Sequence, residues 1–148
     1  MDEIDIQILR ILQENSKTPH YQIGKKLKIG TSTVHYRVQK LIGDGTIQYF
    51  SAIIDPVKVG YETAAVIGLS VNPKKLYKIA KKLASFNEVH VVAVTQGDHD
   101  LIVQILEKNE KELWHFINKN IKTIDGIEKG FDVSTFITIE KKTHKIRL

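Results

Sequence analysis

The chain has 148 residues, 42% hydrophobic and 26% charged, proportions of an ordinary folded protein and not of a disordered one. Its 22 Lys and Arg against 17 Asp and Glu give a formal net charge of +5, which alone favours a polyanionic partner only weakly. The absence of cysteine excludes disulfides, thiol chemistry and Cys-based zinc sites. No apolar run approaches the ~20 residues of a membrane span, so a cytoplasmic location is expected.

The start, MDEIDIQILR, is acidic and amphipathic, unlike a signal peptide. Nineteen of the 22 basic residues are Lys and Met occurs once, a usage that leans toward a thermophile. Ile4, Ile8, Ile11 and Leu12 recur at helical spacing, which predicts an amphipathic helix over residues 2–14 with Asp2 as its cap. Thr18-Pro19 breaks the chain, and Tyr21 to Leu27 predicts a second, shorter helix. A third starts near Thr31, carries Val34, Val38, Leu41 and Ile42 on one face, and stops at Gly43-Asp44-Gly45. Residues 1–45 thus form a helix-turn-helix, winged-helix-like unit. Between Asn15 and Gly43 it holds Lys17, Lys25, Lys26, Lys28, Arg37 and Lys40 and no acidic residue.

From Thr46 the pattern turns extended through Ile47, Tyr49, Ala52 and Ile54 to Asp55-Pro56, which predicts a short strand and linker over 46–62. Residues 63–140 then alternate regularly. A strand from Thr63 to Val71 precedes a helix opened by Asn72-Pro73 and running to Ser85; strands Val89–Thr95 and Leu101–Leu106 form a hairpin. Asn109 and Glu112 have capping-box spacing before a helix with Leu113, Phe116, Ile117 and Ile121 inward, and Trp114 is also expected at a core position. Phe131, Val133, Thr135, Ile137 and Ile139 alternate along a last strand. The fold class is therefore α+β: the helix-turn-helix unit followed by a ferredoxin-like βαββαβ domain, an antiparallel sheet with both helices on one face. Several strands are apolar on both sides, so the uncovered face is expected to pack on a second copy, giving a homodimer. Residues 141–148 form a basic tail able to add a sequence-independent DNA contact.

The two halves together resemble the Lrp/AsnC, or feast/famine, transcription regulators. The matching pieces are Asp2-Glu3-Ile4-Asp5 with Ile8-Leu9; Ser32-Thr33-Val34 with Arg37-Val38 and Leu41; Asp55-Pro56 with Gly60-Tyr61; and Val94-Thr95 followed by Gly97-Asp98-His99-Asp100-Leu101. The resemblance spans essentially the whole chain. It implies an N-terminal helix-turn-helix that binds double-stranded DNA and a C-terminal sensing domain that dimerises, often into octamers, with an amino acid or similar metabolite bound between subunits. The family usually has Gly at the turn and Ser at the cap of the reading helix, where this chain has Lys28 and Gly30. A left-handed backbone costs an ordinary residue ~1 to 2 kcal/mol, so a differently shaped turn is expected.

On the third helix Ser32, Thr33, His35, Tyr36, Arg37, Gln39 and Lys40 lie on or beside the outer side, the residue types that read base edges and phosphates. Arg37 is the first choice for base contact, and Lys25, Lys26 and Lys40 for phosphate contact. A solvated face is the plain alternative; the acid-free window and the resemblance argue against it. Gly97, Asp98, His99 and Asp100 form a turn by ordinary Asp/Gly chemistry. Three consecutive residues seldom aim at one ion, so no metal is expected there. With the resemblance, this turn becomes the candidate effector site, with the carboxylates of Asp98 and Asp100 holding an ammonium and Ser134, Thr135 and Thr138 as hydrogen-bonding partners. No cofactor is expected beyond that effector, and no catalysis. Two rival readings stay open: a haem-precursor decarboxylase on the same scaffold, for which His20, His35, His90, His99, His115 and His144 are scattered candidates, and an architectural DNA-binding protein.

Overall fold

A computed structural model describes residues 1–128 and 130–148. The chain divides into two compact units, one of residues 1–53 with 141–148 and one of residues 54–140.

The first unit contains α1 (Glu3–Glu14), α2 (His20–Leu27) and α3 (Thr31–Gly43). Asp2 caps α1 reciprocally: its carboxylate accepts the Asp5 N–H at 2.9 Å, and the Asp5 carboxylate accepts the Asp2 N–H at 2.9 Å. The core joins Ile8 and Leu12 of α1 to Ile23 of α2 and Val34 and Val38 of α3, with Ile47 packed beside them. Each fully buried aliphatic side chain contributes about 1.5–3 kcal/mol, so a few such residues hold three short helices together. Ile42, expected inside, is partly exposed. The tail folds back onto α1. Gln13 accepts the Ile146 N–H at 2.8 Å and donates to its carbonyl, Arg10 donates twice to the Leu148 carbonyl, and Lys145 pairs with Glu14.

The predicted strand over 46–54 is absent: those residues are irregular, and only a single helical turn, Val57–Val59, follows. A strand needs a ladder partner, and the four strands of the sheet pair only with one another. Tyr49, Phe50, Ile53 and Ile54 consequently lie exposed.

The second unit is the βαββαβ domain: β1 (Thr63–Leu69), α4 (Leu76–Leu83), β2 (Val89–Val94), β3 (Leu101–Glu107), α5 (Glu110–Phe116) and β4 (Asp132–Thr135). The sheet order is β2-β3-β1-β4 with all neighbours antiparallel. Ala65, Ile67 and Leu69 of β1 and Leu101, Val103 and Ile105 of β3 face the helices, meeting Ile79, Leu83, Leu113, Phe116, Ile117 and Ile121 in one core. The intervening residues Ala64, Val66, Ile102, Gln104 and Leu106 form the opposite face, apolar but for Gln104 and only partly buried within the chain. Trp114 lies on the exposed side of α5, one residue off the buried stripe. β4 is shorter than the predicted strand. Its last ladder bond runs from the Phe136 N–H to the Ala64 carbonyl, one residue from the start of β1, so residues 137–139 have no partner to follow.

Candidate functional site

α3 is fixed by Val34, Val38 and Leu41, which turns Ser32, Thr33, His35, Tyr36, Gln39 and Lys40 outward and exposes all six. Ser32, Tyr36, Gln39 and Lys40 fall one and two turns apart and so share a stripe. Lys25 and Lys26 are exposed on the last turn of α2. Gly30 caps α3 without a side-chain bond, which leaves the first N–H groups of the helix open to an acceptor such as a phosphate oxygen. The His20 and His35 rings approach to 5.5 Å between centroids, tying the start of α2 to α3.

Arg37 does not share that free stripe, which corrects the first choice for base contact. Its guanidinium donates to both Asp2 oxygens at 2.9 and 2.7 Å and to Asp5 Oδ1 at 2.7 Å. Its side chain is 23% exposed and that of Asp5 8%. The carboxylates hold the Arg37 pKa above its ordinary value, Asp5 contributing most, while the Asp5 N–H and then Arg37 hold the Asp2 carboxyl below the usual carboxylate range. One guanidinium nitrogen, Nη1, shared between two carboxylates ties α3 to the capping box of α1 by charge-assisted hydrogen bonds. It fixes α3 against α1, with Lys40 and the hydroxyls of Ser32, Thr33 and Tyr36 exposed.

The turn between α2 and α3 also differs from expectation. Lys28 adopts the left-handed conformation at φ 56° and ψ 41°, where a glycine-like backbone is required. The turn therefore takes a left-handed backbone despite the side chain. Buried Gly24 allows the close approach behind it: a Cβ there would lie 2.7 Å from the Ile29 carbonyl oxygen.

In the sheet unit the residues of the 97–100 turn have separate tasks. Asp100 accepts the Val71 N–H at 2.9 Å and donates its own N–H to the Leu69 carbonyl, so it pins the turn to the end of β1 instead of presenting both oxygens to a ligand. The Thr95 hydroxyl donates to the His99 carbonyl at 2.6 Å. The His99 ring fills the place of a side chain at Gly68: a Cβ there would meet it at 2.3–2.6 Å. Its Nε2 stands 3.3 Å from Asp132, the residue opposite Gly68 on β4. Gly97 and Asp98 are exposed. Ser134, opposite Val66, lies on the same open face as His99 and Asp132. Thr135, opposite Ala65, points to the helix side, and Thr138 lies beyond β4, so the predicted hydroxyl trio is not brought together. Asp132 and Gly68 were missed from sequence; their face becomes legible only once the register with β4 is known. Among the described residues no group of three His, Asp or Glu is placed to hold a metal, and no helix is long and apolar enough to cross a membrane.

A helix-turn-helix with a free cationic face, joined to an antiparallel α+β domain with an uncovered apolar sheet, defines a two-part DNA-binding protein. Residues 1–42 match the AsnC-type helix-turn-helix domain, and residues 63–147 match the C-terminal dimeric alpha+beta barrel domain described for PF0864. The chain is similar to the HTH-type transcriptional regulator FL11 of Pyrococcus horikoshii, 40% identical over 145 residues covering 98% of this chain and 92% of that protein. Among solved structures, its fold is similar to that of AsnC from E. coli, with a TM-score of 0.90 at 24% identity over 96% of this chain and 95% of that one. It is also similar to the regulator NMB0573 of Neisseria meningitidis in complex with L-Met, with a TM-score of 0.92 at 21% identity over 99% and 96%. The chain belongs to the Lrp/AsnC family of transcriptional regulators.

Proposed function

We propose that the protein is a cytoplasmic, sequence-specific DNA-binding regulator that works as a homodimer, able to assemble further up to octamers, and responds to an amino acid. The observation that carries the DNA reading is α3: an anchored helix whose exposed side holds Ser32, Thr33, Tyr36, Gln39 and Lys40 within an acid-free stretch. Each copy would insert one α3 into a half-site, with Gln39 reading a base edge and Lys25, Lys26 and Lys40 meeting phosphates. The half-exposed apolar sheet face, with Val91 and Phe136 at its margins, supports a second copy as its cover. The L-Met bound to the Neisseria protein supports an amino acid as effector. His99, Asp132, Ser134 and the free Asp98 carboxylate, around the 97–100 turn, are the polar groups on offer to it.

Selection from random duplexes, with and without a panel of amino acids, tests the reading. A symmetric consensus is expected, and at least one amino acid should shift its affinity. Replacing Lys25, Lys26 and Lys40 with Gln should flatten log K against log[salt] by about 2.7, at about 0.9 for each lost phosphate contact. An unchanged slope and affinity would reject the interface, and indifference to every amino acid would reject the effector.

A further inference from the structure

The sheet unit carries a groove of about 450 Å³ on its helix side, between α4 and the turn that follows α5, away from the 97–100 turn. That volume lies within the ~300–1,000 Å³ usual for small-molecule sites. One wall presents Lys75, Lys78 and Lys82, one turn apart along α4 and its lead-in, and the far wall presents Asn120, Thr123 and Asp125. Phe86 lies at one end, partly buried. Only Lys75 is matched by a carboxylate, that of Asp125. Lys78 and Lys82 take part in no ion pair among the described residues, and the Lys82 ammonium sits 5.4 Å over the Phe86 ring.

We propose that this groove binds a nucleoside monophosphate or a ligand of the same build, a phosphate monoester attached to a flat ring. The three lysines and one aspartate lining it leave a charge of +2, which matches a phosphate monoester dianion. Asp125 stays ionised, but its charge is matched by Lys75, which leaves Lys78 and Lys82 to face the anion. The Phe86 face, now covered by a lysine of its own chain, offers a stacking surface to a ring once that ammonium swings to the phosphate. The Asn120 amide supplies a hydrogen-bonding group opposite the lysines, whereas the Thr123 hydroxyl already donates to the Lys119 carbonyl at 2.9 Å. The sheet unit has 11 basic and 12 acidic residues, so its overall charge does not account for this local excess of cations. The site is independent of the amino-acid reading given above, since it shares no residue with the sheet turn.

Calorimetric titration of the full chain with adenosine monophosphate, adenosine and inorganic phosphate tests the assignment. Adenosine monophosphate should bind once per chain and more tightly than either fragment. Lys78→Gln with Lys82→Gln should weaken it at least about tenfold, as loss of charge-assisted bonds does, with an unchanged melting temperature showing that the fold persists. Phe86→Leu should weaken the nucleotide and leave inorganic phosphate unaffected. No binding of nucleotide or phosphate at millimolar concentration would overturn the proposal. So would binding indifferent to the double replacement, or a loss confined to duplex DNA.

Discussion

The two units hold their charge in opposite ways. The helical unit has 11 basic and 5 acidic residues and keeps four of those acids engaged: Asp2 and Asp5 by Arg37, Glu3 by Arg10 and Glu14 by Lys145. Lys25, Lys26 and Lys40 take part in none of these pairs, so the cationic surface stays unopposed on α2 and α3. The sheet unit has 11 basic and 12 acidic residues, and among the described residues its one ion pair with a lysine or arginine is that of Lys75 with Asp125. Attraction for a polyanion is thus a property of the helical unit, though the net charge of +5 belongs to the whole chain. A second contrast concerns the residues that looked functional from sequence. In the helical unit one of them, Arg37, proves to be a bolt between helices; in the sheet unit Asp100 and His99 brace the turn that was expected to bind.

Arg37→Ala gives the largest expected effect and the most direct way to break this contrast. It leaves Asp5, the one buried charged residue among the described residues, without its cation, so the helical unit should melt several degrees lower at pH 7. The Asp2 carboxyl is held low in the folded state, so its contribution is complete above the unfolded value of about 3.9 and disappears as pH falls through the folded value. The melting temperature of the parent should therefore drop more steeply below pH 4 than that of the variant. A variant that melts like the parent but loses its preference at one base position would return Arg37 to the reading surface.

A smaller effect is expected from Gly68→Ala in the sheet unit, where the His99 ring occupies the space beside Gly68. The added methyl would overlap the His99 ring and force it away from Asp132, at a cost of about 1–3 kcal/mol for overpacking. Denaturant unfolding of Gly68→Ala, His99→Ala and the double variant checks this, because removing the ring should relieve most of the damage of the added methyl. Additive losses would mean that the ring does not depend on the notch.

Much of this arrangement was legible in the sequence because it follows from periodicity. The three helices of the first unit, the βαββαβ order and the outward residues of α3 all come from alternating apolar and polar positions. Partnerships between distant residues were not legible. Arg37 sits at an outward-looking position of α3, and its engagement depends on Asp2 and Asp5 being brought to it by the packing of α1, although an Asp pair spaced as a capping box was visible. Ser134 and Thr135 are adjacent in sequence, yet the register of β4 on β1 sends them to opposite faces. The strand expected at 46–54 had the right composition and lacked only a neighbour to pair with, which composition cannot supply.

The smallest expected effect sharpens the comparison of the helical unit with its own relatives. Lys28 is the single non-glycine residue with positive φ among the described residues, at 56°. An ordinary side chain in that region costs ~1 to 2 kcal/mol, whereas glycine adopts it freely but loses more backbone entropy on folding. Lys28→Gly should therefore stabilise the helical unit by about 0.5–1 kcal/mol, and Lys28→Ala, which keeps a Cβ, should not. The exposed Lys28 ammonium adds a second measurable consequence, since its loss should flatten the salt dependence of DNA binding by about 0.9 if it faces a phosphate. A stabilised Lys28→Gly protein with a flatter slope would mean that the strain at the turn is kept for the sake of one cation beside DNA; a destabilised one would mean that the Lys28 side chain contributes to the fold more than its backbone strain removes.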